Sequence, residues 1–494
     1  MVQVQRFWRG LFLLTLLAVV LLAGCGQEKV PTELPPQEER ILWILTERTA
    51  SCGMNSQAES VARAFEADHP GVRVNLETLP ESGQERENRL EQLRTQVMAG
   101  DGPDGYLLSA NLNYGSDYGF LVPQQGMRQA LFPDVEMAMY SGLFADLSPY
   151  YDADTELHTE ALQQTVMEAG VVDGARYVLP LRYEIPVVYL DAEQLAASGL
   201  DREKMASSLY GFWKEVLEEG GPQWTSAARY YRGAQHMQFL PPLFDYEAGE
   251  VILPREALRT YLEAYQWAYA KAGGTAVVDV LNLDDYWSTK SFLSEEHPAE
   301  IATLDMALTT AAIAKSEQKK IEMLPLSGGE GELVARITYY AAAGAGSEKP
   351  ELTYAFLREF LREENQWQEK RKISGVVKNQ LLIESGWPVR NVGSAAPLWN
   401  YVKELKTMDI RSEPTERRTH WNRLIRVELE DGDIPALSVP VQRAYFENDG
   451  LQERLSAYLR KLNRGENREA PADVDLDQVA EDILAELEQY LAEG

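Results

Sequence analysis

Arg182, Tyr183 and Glu184 form a charged and aromatic triplet inside an apolar stretch that runs from Tyr177 to Leu190. Two further polar groups directly follow apolar runs. Thr46-Glu47-Arg48 comes after Ile41 to Leu45, and Asn111, Asn113 and Tyr114 come after Tyr106 to Ser109. Residues of these types either hold a polar solute by hydrogen bonds and charge or serve as solvated loop charge. Aromatic rings strengthen the binding option. The chain carries 10 tryptophans and 24 tyrosines, and such rings stack on sugars and cations at little entropic cost.

Catalytic signatures are missing. No G-x-x-x-x-G-K-[ST], G-x-S-x-G or H-E-x-x-H occurs. The pair Gly344 and Gly346 lacks the third glycine of a dinucleotide fingerprint and reads as a turn. The Ser-Gly-Gly-Glu-Gly run at 327–331 reads as a flexible surface loop. Of the five histidines, His69 and His297 precede prolines, while His158, His236 and His420 have no partner at ligand spacing. Neither a metal nor a cofactor is expected. With 77 acidic residues, no pair stands out as general acid and base. A glycan hydrolase needs two carboxyl groups about 5–10 Å apart, a separation that the sequence does not show.

The polar groups sit at the ends of predicted elements. Ile41 to Leu45 is a continuous apolar run of strand length, as expected for a strand covered on both faces. Ala58, Val61, Ala62 and Phe65 recur at helical spacing, and Pro70-Gly71 ends that helix. Val72, Val74 and Leu76 alternate as a second strand, which completes a βαβ unit. Leu90, Leu93 and Val97 predict another helix ending at Gly100, and Tyr106 to Ser109 a further strand. The N-terminal third is therefore α/β with a mostly parallel sheet. In such sheets ligands bind outside the carboxyl ends of the strands. Those ends are 46–48 and 110–114. Later, Leu352, Ala355, Phe356 and Phe360 mark one amphipathic helix, and Leu476, Val479, Ile483, Leu487 and Leu491 mark a terminal one.

Length and charge narrow the function classes. The 494 residues suffice for about three domains or one large two-lobed body. The net charge of −30 argues against a nucleic-acid partner, which needs a basic face. Two cysteines cannot build a disulfide framework. Arg6 and Arg9 precede the apolar run Leu11 to Leu22, a signal-peptide pattern too short to span a bilayer. The run ends in Leu22-Ala23-Gly24-Cys25, which resembles a bacterial lipobox. Residues 1–24 are thus expected to be a lipoprotein signal peptide, and Cys25 a lipidated residue that tethers the chain to the membrane. Residues 25–40, with three prolines and alternating charges, read as the tether. Cys52 is then left as a lone thiol.

Seven blocks in order carry a resemblance. They are Ile41 to Ile44, Val61 to Val74, Leu93 to Asp104, Phe144 to Tyr151, Gly174 to Pro180 with Val187 to Asp191, Ala355 to Gln366, and Gly386 to Arg390. Their order resembles the extracellular solute-binding lipoproteins of ABC importers, in the family that includes maltose-type sugar binders. The resemblance implies an α/β, two-lobed, periplasmic-binding-protein-like fold. Each lobe would be a mostly parallel sheet flanked by helices, with the lobes joined at a hinge. It places the N-terminal lobe at 41–181 and 307–340, and the C-terminal lobe at 185–304 and 342–494. Crossovers fall near 181–185, 304–307 and 339–342.

The cleft positions it implies are Thr46, Glu47, Arg48, Asn111, Asn113, Tyr114, Arg182, Tyr183 and Glu184. Asp305 and Met306 lie at the second crossover, and Tyr230, Trp287 and Trp399 are the aromatic candidates from the second lobe. The implied protein is a monomeric, non-catalytic receptor anchored at Cys25 in the cell envelope. It would pass a small polar solute to ABC permease transmembrane subunits. A sugar or oligosaccharide leads, with peptide-like, polyamine or anionic solutes as alternatives. The mixed charges near the implied cleft argue against long neutral oligosaccharides. A transport-independent sensor or surface-tethering lipoprotein on the same scaffold is the rival. Residues 115–142 look like an insertion that either caps the cleft edge or decorates the surface.

Overall fold

The computed structural model describes residues 40–47, 53–80, 83–110, 130–157, 161–229, 236–271, 298–303, 307–316, 318–329, 331–367, 369–373, 376–380, 387–390, 398–405, 421–429, 440–446, 448, 451, 455, 458 and 474–493. Strand β1 (Arg40–Glu47) pairs in parallel with β2 (Val72–Leu79) through the helix Gly53–Asp68, in register from Arg40↔Val72 to Glu47↔Leu79. This is the expected βαβ unit. Ala58, Val61, Ala62 and Phe65 are buried, so the helix lays its one apolar face on the sheet. The turn after it needs the left-handed backbone of Gly71, at φ 83°. The helix Gly83–Ala99 follows, and β3 (Gly105–Ser109) pairs in parallel with the other side of β1.

The short hairpin β4 (Val171–Val172) and β5 (Ala175–Arg176) leads into β6 (Val178–Glu184). Only Ile185 separates β6 from β7 (Pro186–Asp191). The apolar run across β7 has a physical cause. Val187 and Tyr189 belong to the first hydrophobic core, and the alternate residues Val188 and Leu190 to a second. A second short hairpin, β8 (Phe244–Asp245) and β9 (Glu250–Val251), precedes the helix Arg255–Lys271. Then β10 (Ala299–Thr303) and β11 (Ile321–Pro325) flank β7 in a three-stranded sheet. The chain returns through β12 (Val334–Ala343), whose Val334 lies in the second core and whose Ala335 to Ala343 enter the first.

The remaining strands are the hairpin β13 (Glu369–Ile373) and β14 (Val376–Gln380), then β15 (Trp387–Pro388), the hairpin β16 (Leu398–Leu405) and β17 (Trp421–Leu429), and β18 (Arg443–Phe446). The first sheet runs β15-β6-β12-β3-β1-β2, with β18 paired to the start of β12.

The two-lobed α/β class stands, with a correction of strand direction. Parallel pairing holds for β1–β2, β1–β3 and β12–β18. β12 is antiparallel to β3 and β6, and both pairs in the β10-β7-β11 sheet are antiparallel. β6 leads the chain out of the first core and β12 leads it back from the second. Strands that cross outward and return must run in opposite directions.

The first core also takes in Tyr354, Phe356 and Phe360, from the stretch 342–494 that the resemblance assigns to the second lobe. Phe356, on the helix Pro350–Leu357, packs edge-on against Phe65 with ring centroids 5.4 Å apart. The Gly344 and Gly346 turn packs on the 100–105 turn. A Cβ would lie 2.4 Å from Pro103 O at Gly344 and 2.2 Å from Gly100 O at Gly346. The terminal helix Leu476–Glu493 buries Ala480, Ile483 and Leu487 in the second core.

Candidate functional site

The carboxyl end of β1 carries Thr46 and Glu47, both buried. The Thr46 hydroxyl donates to Glu77 O at 3.2 Å and pairs with the Thr78 hydroxyl at 3.0 Å. Glu47 forms an ion pair with Arg86, equally buried, whose Nη1 donates to Pro80 O at 2.9 Å. Arg86 precedes Leu90 and Leu93 on the buried stripe of its helix. That i, i+4, i+7 spacing was a legible signal of an inward-facing arginine.

Arg182, Tyr183 and Glu184 occupy the end of β6, inside a strand. They are 1%, 6% and 0% exposed, so solvated loop charge is overturned for this triplet. Alternation places Arg182 and Glu184 on one face of the strand and Tyr183 on the other. Tyr183 sits opposite Trp387 of β15, and burial pushes its hydroxyl above the usual tyrosine range. Glu184 is ion-paired with Arg336 of β12, also buried. Its backbone carbonyl accepts from Gln238 Nε2 at 3.2 Å, and the same amide nitrogen donates to Val334 O at 3.0 Å. Gln238 comes from the turn His236–Phe239 beside the second core, so it clasps the crossing strands from the other lobe. Arg182 donates from Nη2 to Gln366 O at 2.8 Å. Burial pushes its guanidinium down to about 9.

Several buried polar atoms here have no hydrogen-bond partner among the described residues. They are Nε and Nη1 of Arg182, Oε1 of Glu184 and Oε1 of Gln238. The end of β1 stands three strands from β6 in the sheet order, roughly 14 Å at ~4.8 Å per strand. Tyr339 of β12 lies between them. Glu47 and Arg182 both act electrostatically on its phenol, which donates to Leu107 O at 3.1 Å.

Arg86, Arg336, Gln238 and Gln366 were not singled out in the sequence. Arg336 had a signal, a lone charge within the apolar run Val334 to Ala343. The two glutamines had none, because their partners lie 54 and 184 residues away in the chain. Arg48, Asn111, Asn113, Tyr114, Tyr230, Trp287, Asp305 and Met306 lie outside the described residues, as do Cys25 and Cys52. Trp399 stands in β16 opposite Glu428 of β17. Among the described residues no group of three or more His, Cys, Asp or Glu could hold a metal ion.

The described part of the segment 115–142 spans the two cores. Leu131, Phe132, Val135, Ala138 and Met139 pack into the first. Asp134 caps the helix Val135–Tyr140 through Oδ1, which accepts from Met137 N at 2.9 Å. Its Oδ2 accepts from Tyr246 Oη at 2.7 Å, Asn448 Nδ2 at 3.2 Å and Tyr490 Oη at 3.3 Å. Glu136 accepts from Phe446 N at 3.2 Å. Burial first, and the charge of Asp134 second, push the Glu136 carboxyl up to about 8. Tyr140 stacks on Tyr246 with centroids 5.6 Å apart.

Two cores joined by crossing strands, with polar groups held at the crossing, define a class of molecule. A family description, bacterial extracellular solute-binding protein, matches residues 54–367. The chain belongs to that family. Three solved structures share the fold of this solute-binding protein. The galacto-N-biose-/lacto-N-biose I-binding protein of the ABC transporter from Bifidobacterium longum, in complex with lacto-N-biose, has a TM-score of 0.55 at 12% identity, covering 92% of this chain and 98% of its own. A de novo designed cysteine esterase has 0.54 at 13% identity, covering 92% and 99%. The sugar-binding protein MalE from Xanthomonas citri has 0.52 at 13% identity, covering 92% and 98%. At such identities the likeness is one of fold. No curated protein matches the sequence. Family and fold are those of binding proteins rather than enzymes, and the family is extracytoplasmic. No helix among the described residues is long and apolar enough to cross a membrane.

Proposed function

We propose that this solute-binding protein is the substrate-binding lipoprotein of an ABC importer. It captures a small polar solute, foremost a sugar or oligosaccharide, at the crossing between its lobes. Hinge closure then presents both lobes to the permease. The chain is monomeric in this reading and held to the membrane through Cys25.

The observation that carries the reading is the set of unpaired polar atoms on Arg182, Glu184 and Gln238. A buried polar atom without a partner costs about 1–3 kcal/mol. Here donors and acceptors from both lobes are left open at one crossing. A polyhydroxylated solute can accept from Arg182 and donate to Glu184 and Gln238 at once. The sugars bound by fold relatives such as the Bifidobacterium longum protein agree with that chemistry.

Thermal unfolding of residues 26–494 against mono- and oligosaccharides, amino acids, polyamines and phosphates tests the proposal. A ligand at 100 times Kd is expected to raise stability by about 2.7 kcal/mol, without product formation. Replacing both Tyr183 and Glu184 by Ala is expected to abolish the shift. Retention of the shift in a folded double variant would move the site away from β6, and turnover of the ligand would replace a receptor by an enzyme.

A further inference from the structure

We propose that Arg182 makes this site selective for a saccharide that carries an anionic group, a carboxylate, sulfate or phosphate ester. The inference rests on the solute-binding reading of the hinge and names the class of solute. Its basis is charge accounting at the crossing. Glu47 is neutralised by Arg86, and Glu184 by Arg336. Arg182 is a third buried guanidinium, 1% exposed, with no carboxylate partner among the described residues. Its partners among the described residues are a backbone carbonyl, Gln366 O at 2.8 Å, and the neighbouring phenol of Tyr339. A buried charge without a counter-charge is costly, and proteins keep such groups where something else supplies the missing charge.

The geometry matches an acidic sugar better than a bare anion. Arg182 offers Nε and Nη1 as unpaired donors, and a planar guanidinium suits carboxylate, sulfate and phosphate oxygens. Gln57 donates to Asn365 O, the carbonyl next to the one Arg182 uses, and leaves its own Oε1 unpaired and buried. That acceptor needs a donor, as does Oε1 of Glu184. Sugar hydroxyls supply donors beside the anionic group, whereas inorganic phosphate or sulfate cannot satisfy these acceptors at the same time. A polyamine would bring a second cation to an uncompensated one.

Titration calorimetry on residues 26–494 with matched pairs tests the inference: galactose and galacturonate, their dimers, galactose 6-sulfate, galactose 6-phosphate, free sulfate and free phosphate. An acidic sugar is expected to bind at least tenfold tighter than its neutral counterpart. Arg182→Gln is expected to erase that preference, with the acidic member losing at least tenfold more affinity than the neutral one. Arg182→Lys keeps the charge without the planar fork and should restore part of the preference. Without ligand, the Arg182→Gln chain should melt no lower than the parent, because an uncompensated charge has been removed. A lower melting temperature would make Arg182 a structural residue and overturn the assignment. Neutral sugars binding as tightly as acidic ones would also overturn it, while leaving the receptor reading in place. Free phosphate or sulfate binding as tightly as the sugar acid would overturn the saccharide half. A blank for every compound would fail the receptor reading itself and this inference with it.

Discussion

Glu184 and Arg336 are both almost wholly buried, and each is tolerable in that setting because of the other. Arg336→Leu alone leaves a buried carboxylate without its partner and is expected to lower unfolding free energy by about 3–5 kcal/mol. The double variant Glu184→Leu/Arg336→Leu removes both charges and should lose much less. Urea titration of the two variants measures the difference, and additive losses would show the pair to be uncoupled. The Glu47–Arg86 pair follows the same logic at the end of β1. At this scale the sequence marked one side of each interaction. Glu47, Arg182 and Glu184 were visible as charges bordering apolar runs. Arg336 lies 152 residues from Glu184, and no local pattern connects them.

Between the elements, the segment 131–140 is the tie with the most chemistry in it. Asp134 gathers Tyr246 from the 244–251 hairpin, Asn448, and Tyr490 from the terminal helix, while Glu136 faces Asp134, Phe446 N and the more distant Arg443. Asp134 is likewise raised, chiefly by burial. The Glu136 carboxyl is pushed from an ordinary 4.5 up to about 8. A raised carboxyl favours the docked state when protonated, so its contribution is complete below about pH 4.5 and is lost as pH rises through about 8. Amide hydrogen exchange in 131–140 is therefore expected to speed up between pH 5 and 9 beyond the intrinsic base-catalysed rise. Glu136→Gln should flatten that excess. An unchanged excess in the variant would assign the effect to another group. The sequence marked 115–142 as a segment apart, but the docking partners of 131–140 come from three distant stretches of chain.

For the whole molecule, Cys25→Ala is expected to move the protein from the membrane fraction to the soluble fraction of the cells that make it, since the apolar run before it is too short to anchor the chain by itself. Retention in the membrane would leave the lipobox reading without support. The acidic excess adds solubility without determining the fold.

Local patterns were enough for the elements and the family. The βαβ unit at 40–79, the strand at 105–109 and the terminal helix all follow from apolar spacing and from Pro and Gly stops, because these depend on neighbours within a few residues. The ordered blocks from Ile41 to Arg390 were enough for the two-lobed class. Tertiary structure alone decided the strand directions around β7 and β12, since direction depends on which core a strand enters and which it leaves. It also decided that the triplet at 182–184 is buried within a strand, and which charges there are already neutralised. Pairing across 152 residues is a property of the packed chain. That Arg182 has no carboxylate partner among the described residues could be recognised only from the packed structure.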